Sequence, residues 1–166
     1  MKITNKHNLP LVLIDWIENS NKQRQLQVEQ GDFTVTQLLS NPKEQYLLSR
    51  NPDIEVDASQ FISVLSGEAW HTGIAANSTN RRFNGALVEK RFSIKYHGWK
   101  ITGQPDVIDG DYLMDYKEST VGRFAKGVPQ EYENQLNFYH YILSSNGKHP
   151  KFMGIWVKYK DYMPSR

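Results

Sequence analysis

The sequence predicts an α/β domain whose core runs helix, three strands, helix, strand, and three observations carry that prediction. Apolar residues recur at roughly helical spacing from about Ala58, as Phe61, Ile62, Leu65, Trp70 and Ile74. The period then shortens, and Val, Ile, Phe and Tyr enrich three runs, Leu87 to Tyr96, Lys100 to Ile108 and Tyr112 to Glu118. Helical spacing returns in Leu136, Tyr139, Ile142 and Leu143, before a last apolar run from Phe152 to Tyr159.

The remaining elements follow from local chemistry. Residues 1 to about 33 show no clear period and read as a poorly specified N-terminal extension. Thr34 or Thr36 can cap a helix through Leu38, Leu39, Tyr46 and Leu47, with a break or fresh start at Pro42. The second helix, from Ala58, tolerates Gly67 and carries Glu68 and His71 on one face. Short connections at His97-Gly98 and Asp109-Gly110 join the three strands into an antiparallel meander, because Asp-Gly between β-like runs marks a two-residue hairpin turn. The helix that begins near Pro129 stops at Ser145-Asn146-Gly147.

Bulk properties narrow the function classes. With 166 residues, 39% hydrophobic and 23% charged, and with no repeat or Pro/Gly linker, the chain reads as one globular domain over 1–166. The absence of cysteine excludes disulfides, thiolate zinc sites, iron-sulfur clusters and a Cys nucleophile. His, Asp and Glu are left as metal ligands. A net charge of +2 permits a polyanionic partner without demanding one. The run Leu9 to Ile14 is too short for a membrane span and lacks the charged start of a signal peptide, so a cytoplasmic protein is expected.

Strand register turns several of these residues into a candidate site. With Asp109-Gly110 as the turn, facing residue numbers sum to 219 and Asp106 lies opposite Leu113. The period of two then puts Asp106, Asp115 and Lys117 on one sheet face, the two aspartates as diagonal neighbours about 7–8 Å apart. A His97-Gly98 turn makes facing numbers sum to 195 and brings Glu89 opposite Asp106. Packed carboxylates repel and lose hydration, so a cation or a proton must compensate them.

Pro105-Asp106 followed by Asp115-Tyr116-Lys117 resembles the signature of the PD-(D/E)XK nucleases of the restriction-endonuclease-like fold. Three further segments are similar to the RecB-like, lambda-exonuclease-like branch of that superfamily: Gly67-Glu68-Ala69-Trp70-His71, Gly103-Gln104-Pro105-Asp106, and the helix Tyr132-Glu133-Asn134-Gln135-Leu136-Asn137-Phe138-Tyr139. The likeness spans roughly residues 34–159. It implies an αβββαβ core with a mixed central sheet flanked by helices.

The resemblance also implies chemistry. His71, Asp106, Asp115 and the backbone carbonyl of Tyr116 would bind Mg2+ or Mn2+, with Lys117 positioning or activating the attacking water. Gln135 and Tyr139 would brace Lys117 or touch the DNA backbone, and Glu68 and Glu89 would be accessory carboxylates. Apart from the resemblance, Arg123 and Lys126 lie in the Gly-bearing loop expected from Ser119 to Val128, where cations can grip phosphates or simply be solvated. The implied activity is DNA phosphodiester hydrolysis, exonucleolytic or end-processing. A structure-selective endonuclease and a catalytically silent nucleic-acid-binding module of the same fold are the alternatives. A recombination, helicase or single-strand-annealing protein is the partner class that the resemblance allows.

Plainer readings exist for each residue. Glu68-x-x-His71 lacks the second such pair that a di-iron site needs. Asp109-Gly110-Asp111 lacks EF-hand spacing and reads as a turn. Trp70, Trp99 and Phe124 are expected in the core rather than as base-stacking residues.

Overall fold

The computed structural model of the chain describes residues 1–28, 31–77 and 85–162. A short strand β1 (Lys2–Thr4) leads through Pro10 into helix α1 (Leu11–Val28). Two-residue β2 (Phe33–Thr34) runs into helix α2 (Val35–Leu39), whose start is a capping box: Thr34 accepts from the Gln37 N–H while the Gln37 side chain accepts from the Thr34 N–H. Helix α3 (Pro42–Arg50) is a fresh start, capped by Asn41 with Pro42 in the first turn. The cap is thus Thr34, and the break expected at Pro42 is present.

Strand β3 (Glu55–Asp57) pairs parallel with β1. Asp57 then caps a 3-10 turn over Ala58–Phe61 that feeds helix α4 (Ile62–Asn77). The predicted strands form five segments: β4 (Leu87–Val88), β5 (Phe92–Tyr96), β6 (Trp99–Gly103), β7 (Val107–Asp109) and β8 (Tyr112–Ser119). A short helix α5 (Val121–Phe124) lies in the segment expected to be loop, followed by helix α6 (Gln130–Ser145) and strand β9 (Phe152–Tyr159). Helix α6 ends in a Schellman motif, with the Lys148 N–H bonded to the Leu143 carbonyl, the Gly147 N–H to that of Ser144, and Gly147 at φ 72°.

The sheets are mixed. Antiparallel β4, β7 and β8 are extended by β9, which runs parallel to β8, while β2 lies parallel to β6 in a second sheet of order β2-β6-β5. The two sheets are the halves of one ribbon bent twice, between β4 and β5 and between β6 and β7. At the first bend Glu89 takes φ 47°, a left-handed conformation unusual for Glu. At the second, Pro105 lacks the N–H that a continuous ladder needs. Facing numbers nevertheless sum to 195 on both sides, as in Leu87 with Ile108 and Phe92 with Gly103. The ribbon bends without slipping.

The second hairpin corrects the expected register. Ile108 faces Leu113 and Asp109 faces Tyr112, so Gly110-Asp111 forms the turn rather than Asp109-Gly110, and facing numbers sum to 221. Gly110, at φ 54°, supplies the positive dihedral at the first turn position. A shift of two residues leaves every side chain on its expected face. It does bring Asp106, one residue beyond the ladder, opposite Asp115 instead of diagonal to it.

Two apolar clusters hold the molecule. In the larger, Leu136, Tyr139, Ile142 and Leu143 of α6 lie against Phe92, Ile101, Ile108 and Leu113 of the strands and Val35 of α2. Gly103 lets α6 approach, since a Cβ there would sit 3.0 Å from both the Tyr139 ring and the Ile142 side chain. In the smaller, Ile17 of α1 packs with Ala58 and Leu65, so the N-terminal residues carry defined structure. Trp99, expected in the core, is 55% exposed beside Phe33.

Candidate active site

Helix α4 delivers His71 to the bend at Asp106. His71 Nδ1 lies 3.2 Å from Asp106 Oδ1 and 3.9 Å from Glu89 Oε1. The other Asp106 oxygen accepts from the backbone N–H of Tyr116 at 2.6 Å, a contact that the β8 register makes available. Asp115, opposite Asp106 by the hairpin register, is only 2% exposed.

Lys117, two residues along the same face, ties the strand to α6. Its ammonium stands 2.5 Å from Asp115 Oδ2, a close ion pair without good hydrogen-bond alignment, and donates to Gln135 Oε1 at 2.9 Å. Gln135 Nε2 in turn donates to the Tyr139 hydroxyl at 2.8 Å. The i, i+4 spacing of Gln135 and Tyr139 makes this relay geometrically natural. The Tyr132 ring lies 5.2 Å from the Lys117 ammonium and 5.4 Å from the Arg123 guanidinium, with the Phe124 ring stacked near it.

The electrostatics follow from burial. Asp115 is pushed up to about 6, chiefly because burial disfavours its charge, with neighbouring Asp106 adding to the shift and Lys117 opposing it. His71 is raised by its hydrogen bond to Asp106, against the pull of its own burial. Tyr139 is raised by burial and by Asp115, so its hydroxyl stays protonated at neutral pH. Two carboxylates, one nearly inaccessible, therefore sit together with a single ammonium and an imidazole that binds a proton more tightly than usual.

His71, Glu89, Asp106, Asp115, Lys117, Gln135 and Tyr139 form one connected group. Glu68 lines the same cavity as His71 but accepts from Ser20 of α1 at 2.5 and 2.7 Å, which joins α1 to α4. Tyr116 offers its backbone N–H to Asp106 while its ring meets Trp156. Arg123 pairs with Glu131 and lies over Tyr132; Lys126 is exposed beside Gly127. Sequence reasoning missed Tyr132 as a contact of Lys117, although it opens the helical motif that ends at Tyr139. It also missed Arg91, whose only signal was a charged Glu89-Lys90-Arg91 stretch interrupting an apolar run.

Among the described residues no three His, Asp or Glu side chains stand gathered as a ready cage for a metal ion. Each aspartate is instead held by a donor of the protein, Asp106 by His71 and Tyr116, Asp115 by Lys117. The donor set still fits a hard divalent cation. It has two facing carboxylates, one of them almost fully buried, and an imidazole.

Two cavities open on the group. One of about 390 Å3 is lined by Thr34, Thr36, Gln37, Arg91, Thr102 and Asp106, among others. The other, of about 650 Å3, runs past Trp16, Ser20, Thr72, Tyr116, Lys117 and Lys160. His71, Glu89 and Gln104 line both. The two open spaces thus join at His71, Glu89 and Gln104, with Asp106 in the wall of the first and Asp115 buried behind it.

No family profile and no curated protein matches the chain. Solved structures do, among them the crystal structure of a protein called SSO0001, with a TM-score of 0.56 and 24% identity over 78% of this chain. This chain shares a fold with SSO0001. It spans 62% of the length of that solved chain, and the identity is low enough that the likeness concerns architecture alone. The shared architecture is α/β with mixed sheets. Among the described residues no helix is long and apolar enough to cross a membrane.

Proposed function

We propose that the chain is a metal-dependent nuclease of the PD-(D/E)XK superfamily, with a restriction-endonuclease-like core in its RecB-like, lambda-exonuclease-like branch, and that it hydrolyses DNA phosphodiester bonds at or near strand ends. The observation that carries the reading is the facing pair Asp106 and Asp115 with Lys117 held beside them by Gln135. The pair rests on strand register and side-chain distances, independently of the motif that first suggested it.

Asp106, Asp115 and His71 would hold Mg2+ or Mn2+, with the Tyr116 carbonyl as a further ligand. The ion would supply a water of lowered pKa and charge to offset the phosphoryl oxygens. Lys117 is fixed on three sides, by Asp115, Gln135 and the Tyr132 ring, so its ammonium is positioned rather than mobile. Placed there, it orients the attacking water and compensates charge on the same oxygens. The water oxygen bonds to phosphorus, the P–O ester bond breaks, and the products end in a phosphate and a hydroxyl. Glu89 tightens the acidic cluster from across the ribbon. Arg123, which shares the Tyr132 ring with Lys117, would be a phosphate contact on the α5 side, and Lys126, farther along the same segment, would meet the strand beyond the site.

The test uses the purified chain with labelled single- and double-stranded DNA and RNA, with Mn2+, with Mg2+ and with EDTA. Shortened linear DNA with either metal and none in EDTA is the expected outcome. Nicking of closed circular DNA would make the enzyme a structure-selective endonuclease. Binding without cleavage under every condition would make it a silent nucleic-acid-binding module.

A further inference from the structure

Arg91 stands apart among the cations near the site. Its guanidinium lies in the wall of the smaller cavity, donating to Gln104 Oε1 at 2.7 Å and to Thr102 Oγ1 at 3.4 Å. Both partners are neutral, and among the described residues no carboxylate forms an ion pair with it. Lys117, by contrast, is matched with Asp115, Arg123 with Glu131, and Lys158 with Glu118. A partly buried guanidinium whose neighbours are an amide and a hydroxyl is oriented but not neutralised.

The wall around Arg91 can seat an anion with several oxygens, while Glu89 and Asp106 bring two carboxylates to another part of the same lining. A guanidinium has five N–H donors, and the bonds to Gln104 and Thr102 leave others for a ligand. Thr34, Thr36, Gln37 and Gln104 add hydroxyl and amide groups to the same wall. Asp106 lines the cavity too, so an anion seated on Arg91 would be a near neighbour of the group at the catalytic carboxylates. We infer that Arg91, braced by Gln104 and Thr102, forms a phosphate subsite that grips a second phosphate of the strand, adjacent to the one being hydrolysed. This deepens the nuclease reading and rests on it for the substrate. Arg91 acts as a specificity-determining residue, since a planar fork matches a phosphate and its neutral bracing leaves the charge for the ligand. The phosphate can be internal or can be a terminal monoester, and both present the same oxygens.

Binding tests this without relying on cleavage. Short fluorescent single-stranded DNAs carrying a 5′-phosphate, a 3′-phosphate or neither are titrated in EDTA against the wild type, Arg91→Gln and Arg91→Lys across a range of salt. Arg91→Gln should weaken binding about tenfold and flatten the dependence of log K on log salt by about one phosphate contact. Arg91→Lys should restore the salt slope but only part of the affinity. A loss confined to one phosphorylated end assigns the subsite to a terminal monoester, and a loss shared by all three to an internal phosphate. If Arg91→Gln binds all three as tightly as wild type with the same salt slope, the inference is wrong. Should the variants fail to fold, the wild type decides: at constant ionic strength, inorganic phosphate should raise its melting temperature more than chloride does, and no difference overturns the subsite. Because these readouts need no hydrolysis, the subsite can stand even if no cleavage is found, and cleavage can stand without it.

Discussion

At the scale of single residues, the site is a problem in charge compensation. Asp115 titrates near 3.8 when unfolded and about 6 when folded, so the folded chain binds its proton more tightly. The sign follows: stability is highest below the unfolded value and falls as pH rises through that window, with the full cost present above about 6. Asp115→Asn removes this titration, so its melting temperature relative to the wild type should be higher at pH 8 than at pH 4 by an amount worth about 2 kcal/mol, on top of a pH-independent loss from unpairing Lys117. Mn2+ should likewise stabilise the wild type at pH 8 and lose its effect as pH drops below 6; a metal response equal at both values would sink the assignment of Asp115 as a ligand. Gln135→Leu, which removes the brace on Lys117, should lower kcat about tenfold with a smaller change in KM and cost about 1 kcal/mol of stability. Asp106, Asp115 and Lys117 were legible in the sequence because side chains alternate with period two, and the actual register differed from the expected one by an even number. Tyr132 and Arg91 were not, because their roles depend on which helix and which loop approach them in three dimensions.

At the scale of elements, the informative feature is the bend. A β-run from Leu87 to Tyr96 looked continuous because Glu has little tendency toward positive φ, yet Glu89 adopts it and turns the ribbon at the acidic cluster. Comparing Glu89→Gly with Glu89→Ala separates backbone from charge, since both remove the carboxylate and only Gly relieves the left-handed backbone. The Gly variant should be the more stable by about 1 kcal/mol, and both should lose activity. If Gly proves no better than Ala in thermal melts, the bend stores no strain. Gly103 makes the complementary point, because Ala there would press against Tyr139 and Ile142 and should cost about 1–3 kcal/mol by pushing α6 off the strand. Turn and cap chemistry was readable where a single residue type decides it, as at Pro42, His97-Gly98 and Asn146-Gly147, whereas Thr34 and Thr36 were equal candidates for the cap. The Gly110 turn was misread by one position because Asp-Gly and Gly-Asp are both competent turn pairs.

At the scale of the whole molecule, the candidate site is shared between two packing units. His71 rides on α4, which the smaller cluster anchors through Leu65 against Ile17 and Ala58, while Asp106, Asp115 and Lys117 belong to the sheet that α6 covers. The N-terminal helix was opaque in the sequence because its apolar residues do not converge on one face: Leu11 and Val12 are largely exposed and Ile17 is buried. The sheet and α6, whose buried residues repeat with regular spacing, were clear. The joint arrangement makes the central claim simple to challenge. Purified wild type and Lys117→Ala, matched for folding by circular dichroism, are incubated with end-labelled linear DNA and Mn2+, and product formation is followed over time. The wild type should shorten the DNA, and Lys117→Ala should do so about 10²–10⁴-fold more slowly. Equal rates for the two proteins, or no cleavage by the wild type with either metal, would contradict a nuclease site built on Asp106, Asp115 and Lys117.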